Sequence, residues 1–164
     1  MGKTFLACNV ISKFYRQHEI VGLKITDHKH SDTANAATVY QHGQTILLEE
    51  KDPESTKDTA RMLAAGANRS FLLQTNEDEL ENALTVLFSM IGQKSMIVCE
   101  SGMVSRMIPK GILLFVRQLS CRVCTVEKKI PRSGNYRIIT FTGKGFDIDL
   151  NNLSIENNTW KLKE

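Results

Sequence analysis

Apolar residues at Phe5, Leu6, Val10, Ile11, Phe14 and Tyr15 recur with helical spacing, so the segment from Lys3 to His18 is predicted as an amphipathic helix. Glu19 to Thr26 (EIVGLKIT) is short, rich in Ile, Val and Leu, and reads as a strand. A polar stretch, Asp27 to Ala37, follows, and then a short strand at Thr45 to Glu49. Ser55 to Ala65 is predicted as a helix with Ser55 as its N-cap and Gly66 as its stop. Ser70 to Gln74 is the next strand. Asn76 followed by Glu79 has the spacing of a capping box and opens a helix to about Ile91, with Leu80, Leu84, Leu87 and Phe88 on one face. Ser95 to Cys99 and Gly111 to Val116 are almost wholly apolar, the pattern of parallel strands covered on both faces.

Strand and helix alternate through this region, which implies a mostly parallel sheet with right-handed crossovers. With Gly2-Lys3-Thr4 opening the first helix, as at the end of a phosphate-binding loop, the expected fold class is α/β, a P-loop NTPase-like three-layer αβα sandwich with a mostly parallel sheet. After Ser120 the pattern changes. Tyr136 to Thr142 alternates like an antiparallel strand, Gly143, Gly145 and Phe146 to Leu150 point to a hairpin, and Leu153 to Leu162 adds one more strand. The chain is expected to be a single domain over residues 1–164, with a core at 1–119 and a β-rich C-terminal extension at 120–164.

Composition changes this picture little. The chain has 164 residues, 41% of them hydrophobic and 24% charged, which suits one globular domain with a sizeable core. A net charge of +3, with no polybasic block, gives no argument for nucleic acid. Lys128, Lys129, Arg132 and Arg137 beside Tyr136 read as a solvated face. No apolar run approaches the ~20 residues of a membrane span. The N-terminal residues lack the pattern of a signal peptide, and four cysteines are too few for a disulfide scaffold. The expected compartment is the cytoplasm.

Four short segments carry candidate chemistry. Gly2-Lys3-Thr4 opens a helix and matches the last three positions of a phosphate-binding loop. In such loops the backbone N–H groups and the lysine hold phosphates and the hydroxyl binds Mg²⁺. The expectation is that the sequence begins partway through that loop. Asp27-His28-Lys29-His30 follows a strand, where open α/β sheets bind ligands, and Asp27 is its candidate Mg²⁺ partner. Glu100, after the apolar run ending at Cys99, has the arrangement of a Walker B acid, whose hard oxygens suit Mg²⁺ or its water. Cys121 and Cys124 have the spacing of half a zinc site or a redox pair, but no second pair accompanies them, so two partly buried thiols are expected.

Lys57-Asp58-Thr59-Ala60-Arg61 followed by Ala65-Gly66-Ala67 resembles a segment of the molybdopterin-guanine dinucleotide biosynthesis accessory proteins, the GTP-binding B proteins of that pathway. The order of motifs is similar too: Gly2 to Thr4, then Leu23 to His30, then Lys57 to Ala67, then Ile97 to Ser101. The resemblance covers residues 2 to 118. The family's first strand and the Gly-x4 part of its loop have no counterpart in the matched residues, and three further features depart: Ser101 stands between Glu100 and Gly102, Pro109 lies in the segment Val104 to Val116, and the tail after Ser120 is β-rich. The resemblance implies that Gly2 and Lys3 bind phosphate, that Thr4 and Glu100 serve Mg²⁺, that Asp27 sits in a switch-like loop, and that Lys57, Asp58 and Arg61 lie near the nucleotide or a partner surface. It implies a homodimer that binds Mg²⁺ with GTP rather than ATP, hydrolyses it slowly, and assists a guanylyltransferase in molybdenum cofactor guanylylation. Two other functions stay open: a non-catalytic interaction module, and an ATP-dependent ligase or kinase of the dethiobiotin-synthetase type. No N-K-x-D guanine-reading motif occurs, so the base is an expectation from the family alone.

Overall fold

The computed structural model describes residues 2–28, 36–104, 111–118 and 136–163. The chain divides into two compact units, Ala7–Met103 and Met1–Leu6 with Val104–Glu164.

Helix α1 (Lys3–Phe14) buries Leu6, Val10, Ile11 and Phe14 of the stripe read from the sequence, and Ala7 with them, while Phe5 and Tyr15 are exposed. In the unit Ala7–Met103, five strands form one sheet: β1 (Ile20–Thr26), β2 (Ala36–His42), β3 (Thr45–Glu50), β4 (Arg69–Gln74) and β5 (Met96–Ser101), in the order β2-β3-β4-β1-β5. Strand β1 is central and buries Ile20, Val21, Gly22 and Leu23 in succession, as a strand covered on both faces must. It pairs in parallel with β4 and with β5.

The other two pairings, β2 with β3 and β3 with β4, are antiparallel. This overturns the expected P-loop-type three-layer sandwich with a mostly parallel sheet. The sheet is mixed, with two parallel and two antiparallel pairings, and the described residues hold only three α-helices. The physical reason lies in a strand that polarity concealed. Ala36–His42 has four exposed positions and no long apolar run, yet it pairs along β3 and turns back tightly through Gly43, whose φ is +56°. The hairpin forces β3 to run against β2, and β3 then runs against β4 as well.

Helix α2 (Asp58–Ala64) and helix α3 (Leu80–Met90) lie on opposite faces of the sheet. Thr45 and Glu50 are five positions apart on β3, so they point to opposite sides. Glu50 accepts from the Thr59 hydroxyl of α2 at 3.0 Å, whereas Thr45 donates to Glu79, the residue before α3. The core between these layers contains Phe71, Leu73, Leu47, Met62, Leu80 and Leu87, each fully buried. Each such side chain stabilises the fold by roughly 1.5–3 kcal/mol relative to exposure. Gly66 ends the α2 region in the left-handed conformation, φ +110°, as its sequence position implied.

Ser55 is not the cap of α2. Its hydroxyl is buried without a hydrogen-bond partner, and the helix begins after Lys57. The buried carboxylate of Glu50 organises this entry instead, accepting from the N–H groups of Lys51 and Asp52 at 3.1 Å each and from Thr59. Asn76 does accept from the Glu79 N–H at 2.9 Å, but the Glu79 carboxylate goes to Thr45 rather than back to Asn76, so only half of the capping box forms.

In the second unit, β6 (Leu113–Gln118) pairs with β7 (Tyr136–Phe141) in a separate two-stranded sheet. The pairing is parallel, which corrects the antiparallel expectation for Tyr136 to Thr142. Alternation reports one buried face of a strand and carries no information about its neighbour's direction. Phe141 bridges to Phe146, and Asp147 accepts from the Thr140 N–H at 2.7 Å. Burial works against the Asp147 charge, but the hydrogen bonds from Thr140 prevail and hold its carboxyl below the usual range. Two further strands, β8 (Leu153–Glu156) and β9 (Thr159–Leu162), make a hairpin where the sequence pattern showed one strand. Its turn is Asn157-Asn158, both at positive φ (52° and 56°), the residue type a two-residue hairpin favours.

Candidate functional site

The parallel strands β4, β1 and β5 share a carboxyl end, and ligands of α/β sheets bind beyond such ends. Lys24, in the second half of β1, stands opposite Glu100 on β5. Its ammonium donates to the Glu100 carboxylate at 3.1 Å and to the carboxylate of Asp58, the first residue of α2. Arg61, one turn along α2, places Nη1 3.6 Å from Asp58 Oδ1. Four charged side chains from two strands and one helix therefore meet on the α2 face of the sheet.

Burial decides how these charges behave. The Glu100 side chain is 6% exposed and that of Lys24 19%, whereas Asp58 is 32% exposed. Desolvation opposes the Lys24 charge, but its hydrogen bond with Asp58 and the attraction of Glu100 outweigh it, so Lys24 titrates above its ordinary value. It is a fixed cation. Cys8 on α1 feels the same cluster. Burial raises its thiol, Arg61 lowers it, and Asp58 and Glu100 raise it again, leaving it above the ordinary value. Burial pushes the Cys99 thiol up to about 12.

Asp58, Arg61 and Glu100 were all candidates from the sequence, and the structure brings them together. Lys24, which joins them, was not singled out. A lysine inside an otherwise apolar strand (IVGLKIT) was the available signal, since a buried ammonium needs a partner. Asp27 lies apart in an exposed turn, its side chain 66% exposed and 3.6 Å from His28 Nε2. Lys57 is the extended residue before α2, and its carbonyl accepts from the Arg61 N–H at 3.0 Å. Gly2, Lys3 and Thr4 open α1, with the Gly2 carbonyl accepting from the Leu6 N–H at 2.9 Å. Gly2 has φ +97°, and a Cβ there would come within 2.8 Å of the Phe141 ring. Thr4 and Glu100, the expected Mg²⁺ pair, belong to different units of the chain. Lys29, His30, Cys121, Cys124, Lys128, Lys129 and Arg132 lie outside the described residues, and Arg137 is on β7.

Among the described residues, no group of three or more His, Cys, Asp and Glu side chains is arranged to hold a metal. Mg²⁺, however, needs only one or two protein carboxylates when a ligand's phosphates and water complete its shell. Asp58 and Glu100, already turned toward one cation, have the hard oxygens for that role.

No protein-family model, no curated protein and no solved structure matches this chain. The resemblance to the molybdenum-cofactor accessory family therefore rests on its motif residues alone. No helix among the described residues is long and apolar enough to cross a membrane.

Proposed function

We propose that the protein binds a Mg²⁺–nucleotide complex, GTP in preference to ATP, and serves as a slow GTPase accessory to a guanylyltransferase in molybdenum cofactor guanylylation or a related cofactor pathway. The observation that carries this reading is the convergence of Lys24, Asp58, Arg61 and Glu100 at the carboxyl end of the parallel strands. On this reading Glu100 and Asp58 offer oxygens to Mg²⁺, whose charge neutralises the phosphates. Lys24 and Arg61 then face those phosphates as cations. The preference for guanine and the partner come from the family resemblance.

A second reading has its own support. Lys24 and Arg61 already balance the charges of Asp58 and Glu100, so the cluster serves equally as a clamp joining β1, β5 and α2 in a non-catalytic interaction module.

Isothermal titration with Mg²⁺–GTP and Mg²⁺–ATP separates these. The proposal expects GTP to bind, and Glu100→Gln to weaken it about tenfold, the loss of one charge-assisted contact of ~1.4 kcal/mol. Heat with neither nucleotide would leave the interaction module standing. ATP binding more tightly than GTP would point instead to the ligase or kinase alternative.

A further inference from the structure

Gln74 is the last residue of β4 and is 4% exposed, and its amide nitrogen Nε2 is buried with no hydrogen-bond partner. A buried donor left unmade is costly, and native proteins keep few of them. The position of Gln74 gives the cost a reason. A Cβ on Gly22 would lie 3.1 Å from the Ser70 hydroxyl and 2.9 Å from Met62 of α2, so Ser70 points to the α2 face. By strand alternation Gln74, four residues on, points to that face too. Its neighbour in register on β1 is Thr26, and Lys24 is two residues back along β1, about 7 Å at ~3.3 Å per residue. The unpartnered amide thus shares a sheet face with Lys24, Asp58 and Glu100 and sits at the carboxyl end, one step closer to the strand termini than they do.

We infer that Gln74 is a ligand-reading residue, whose amide N–H donates to an unprotonated oxygen of the ligand bound beside Lys24. This rests on the nucleotide-site reading and adds to it a neutral donor set beside the charged cluster. The chemistry it recognises is an acceptor oxygen, from a phosphate or from the carbonyl of a base. A hydroxyl on the ligand satisfies it only through its lone pairs. Gln74 has one further property as a recognition group. Being uncharged, it selects by hydrogen bonding, and a ligand that lacks the acceptor leaves the amide as orphaned as it is in the free protein.

The test uses the full chain with Gln74→Met, which keeps the length and removes the amide, and Gln74→Leu as a second apolar replacement. Urea melts without ligand report the folded-state cost, and titrations with inorganic pyrophosphate, Mg²⁺–GTP and Mg²⁺–ATP report binding. A ligand-reading role expects unfolding midpoints equal to or above wild type for at least one variant, together with about tenfold weaker binding of the nucleotide that wild type prefers. Equal loss for pyrophosphate assigns the acceptor to phosphate, and loss for the nucleotide alone assigns it to the base. Lower midpoints for both variants, or unchanged affinity, would overturn the inference while leaving nucleotide binding in place. Wild type binding none of the three probes would overturn the nucleotide reading and this inference with it.

Discussion

Replacing Lys24 by Met tests the charged cluster most directly. The change keeps the unbranched stem and removes the ammonium, leaving Glu100, 6% exposed, with no cation from Lys24. Breaking a buried ion pair from one side costs about 3–5 kcal/mol, because a charge is left uncompensated in a poor solvent. Two observations move the value to the lower end. Asp58 is a third exposed, so water screens it, and it keeps Arg61 at 3.6 Å. A loss of ~3 kcal/mol is therefore expected, a large part of the 5–15 kcal/mol that holds a typical domain. Adding Glu100→Gln removes the carboxylate charge that Lys24 offset and should restore ~2 kcal/mol of that loss, which is a coupling energy of the size neighbouring residues show. Urea unfolding at pH 7, with the slope checked for constancy across variants, measures both quantities. The pH dependence has a fixed sign. Because the folded pKa of Lys24 is raised, its contribution is complete below the unfolded lysine value of ~10.4 and declines as pH rises through the folded one. A single variant that loses less than ~1 kcal/mol, or a double variant no more stable than the single, would refute the view that Lys24 holds a buried carboxylate.

Gly66→Ala places a Cβ 2.5 Å from the Tyr15 ring at φ +110°, and should cost about 3 kcal/mol from backbone strain and overpacking together; a urea midpoint near wild type would contradict the packing described. Glu49 is held below the usual carboxylate range by its hydrogen bond from Arg69, against the effect of burial and with help from Lys51. Its contribution is present above the unfolded value of ~4.3 and is lost as pH falls through the folded one, so Glu49→Gln should flatten the acid limb of stability against pH, and parallel curves for the two proteins would count against the pair.

The helices and most strands of the unit Ala7–Met103 were legible because burial imposes its period on the sequence. The stripe of α1, the continuous apolar run of β1 and the glycine after α2 each follow from one local rule. Strand β2 was not legible. It lies at the edge of its sheet among the described residues, so half its positions meet water, and its polar residues look like a loop. The direction of β7 was hidden for another reason: pairing direction is decided by connections and neighbours rather than by side-chain period. At the site, Asp58, Arg61 and Glu100 were visible as motif residues. Lys24 needed the register of β1 with β5 to reveal its partner, and Gln74 needed an accounting of buried donors, which no sequence pattern supplies.

The mixed pairing of the sheet also bears on the order in which the protein assembles. The β2–β3 hairpin closes over two residues, with His42 facing Thr45, and its contacts are local. The contact of Lys24 with Glu100 spans 76 residues of chain, so its loop-closure entropy must be met before any of its interaction energy is returned. Loop-closure entropy therefore favours early formation of local elements of this kind and later formation of the long-range β1–β5 seam. The cluster that gathers Lys24, Asp58 and Glu100 is thereby tied to a long-range closure, whose entropy cost favours its charges meeting after the local hairpin has formed.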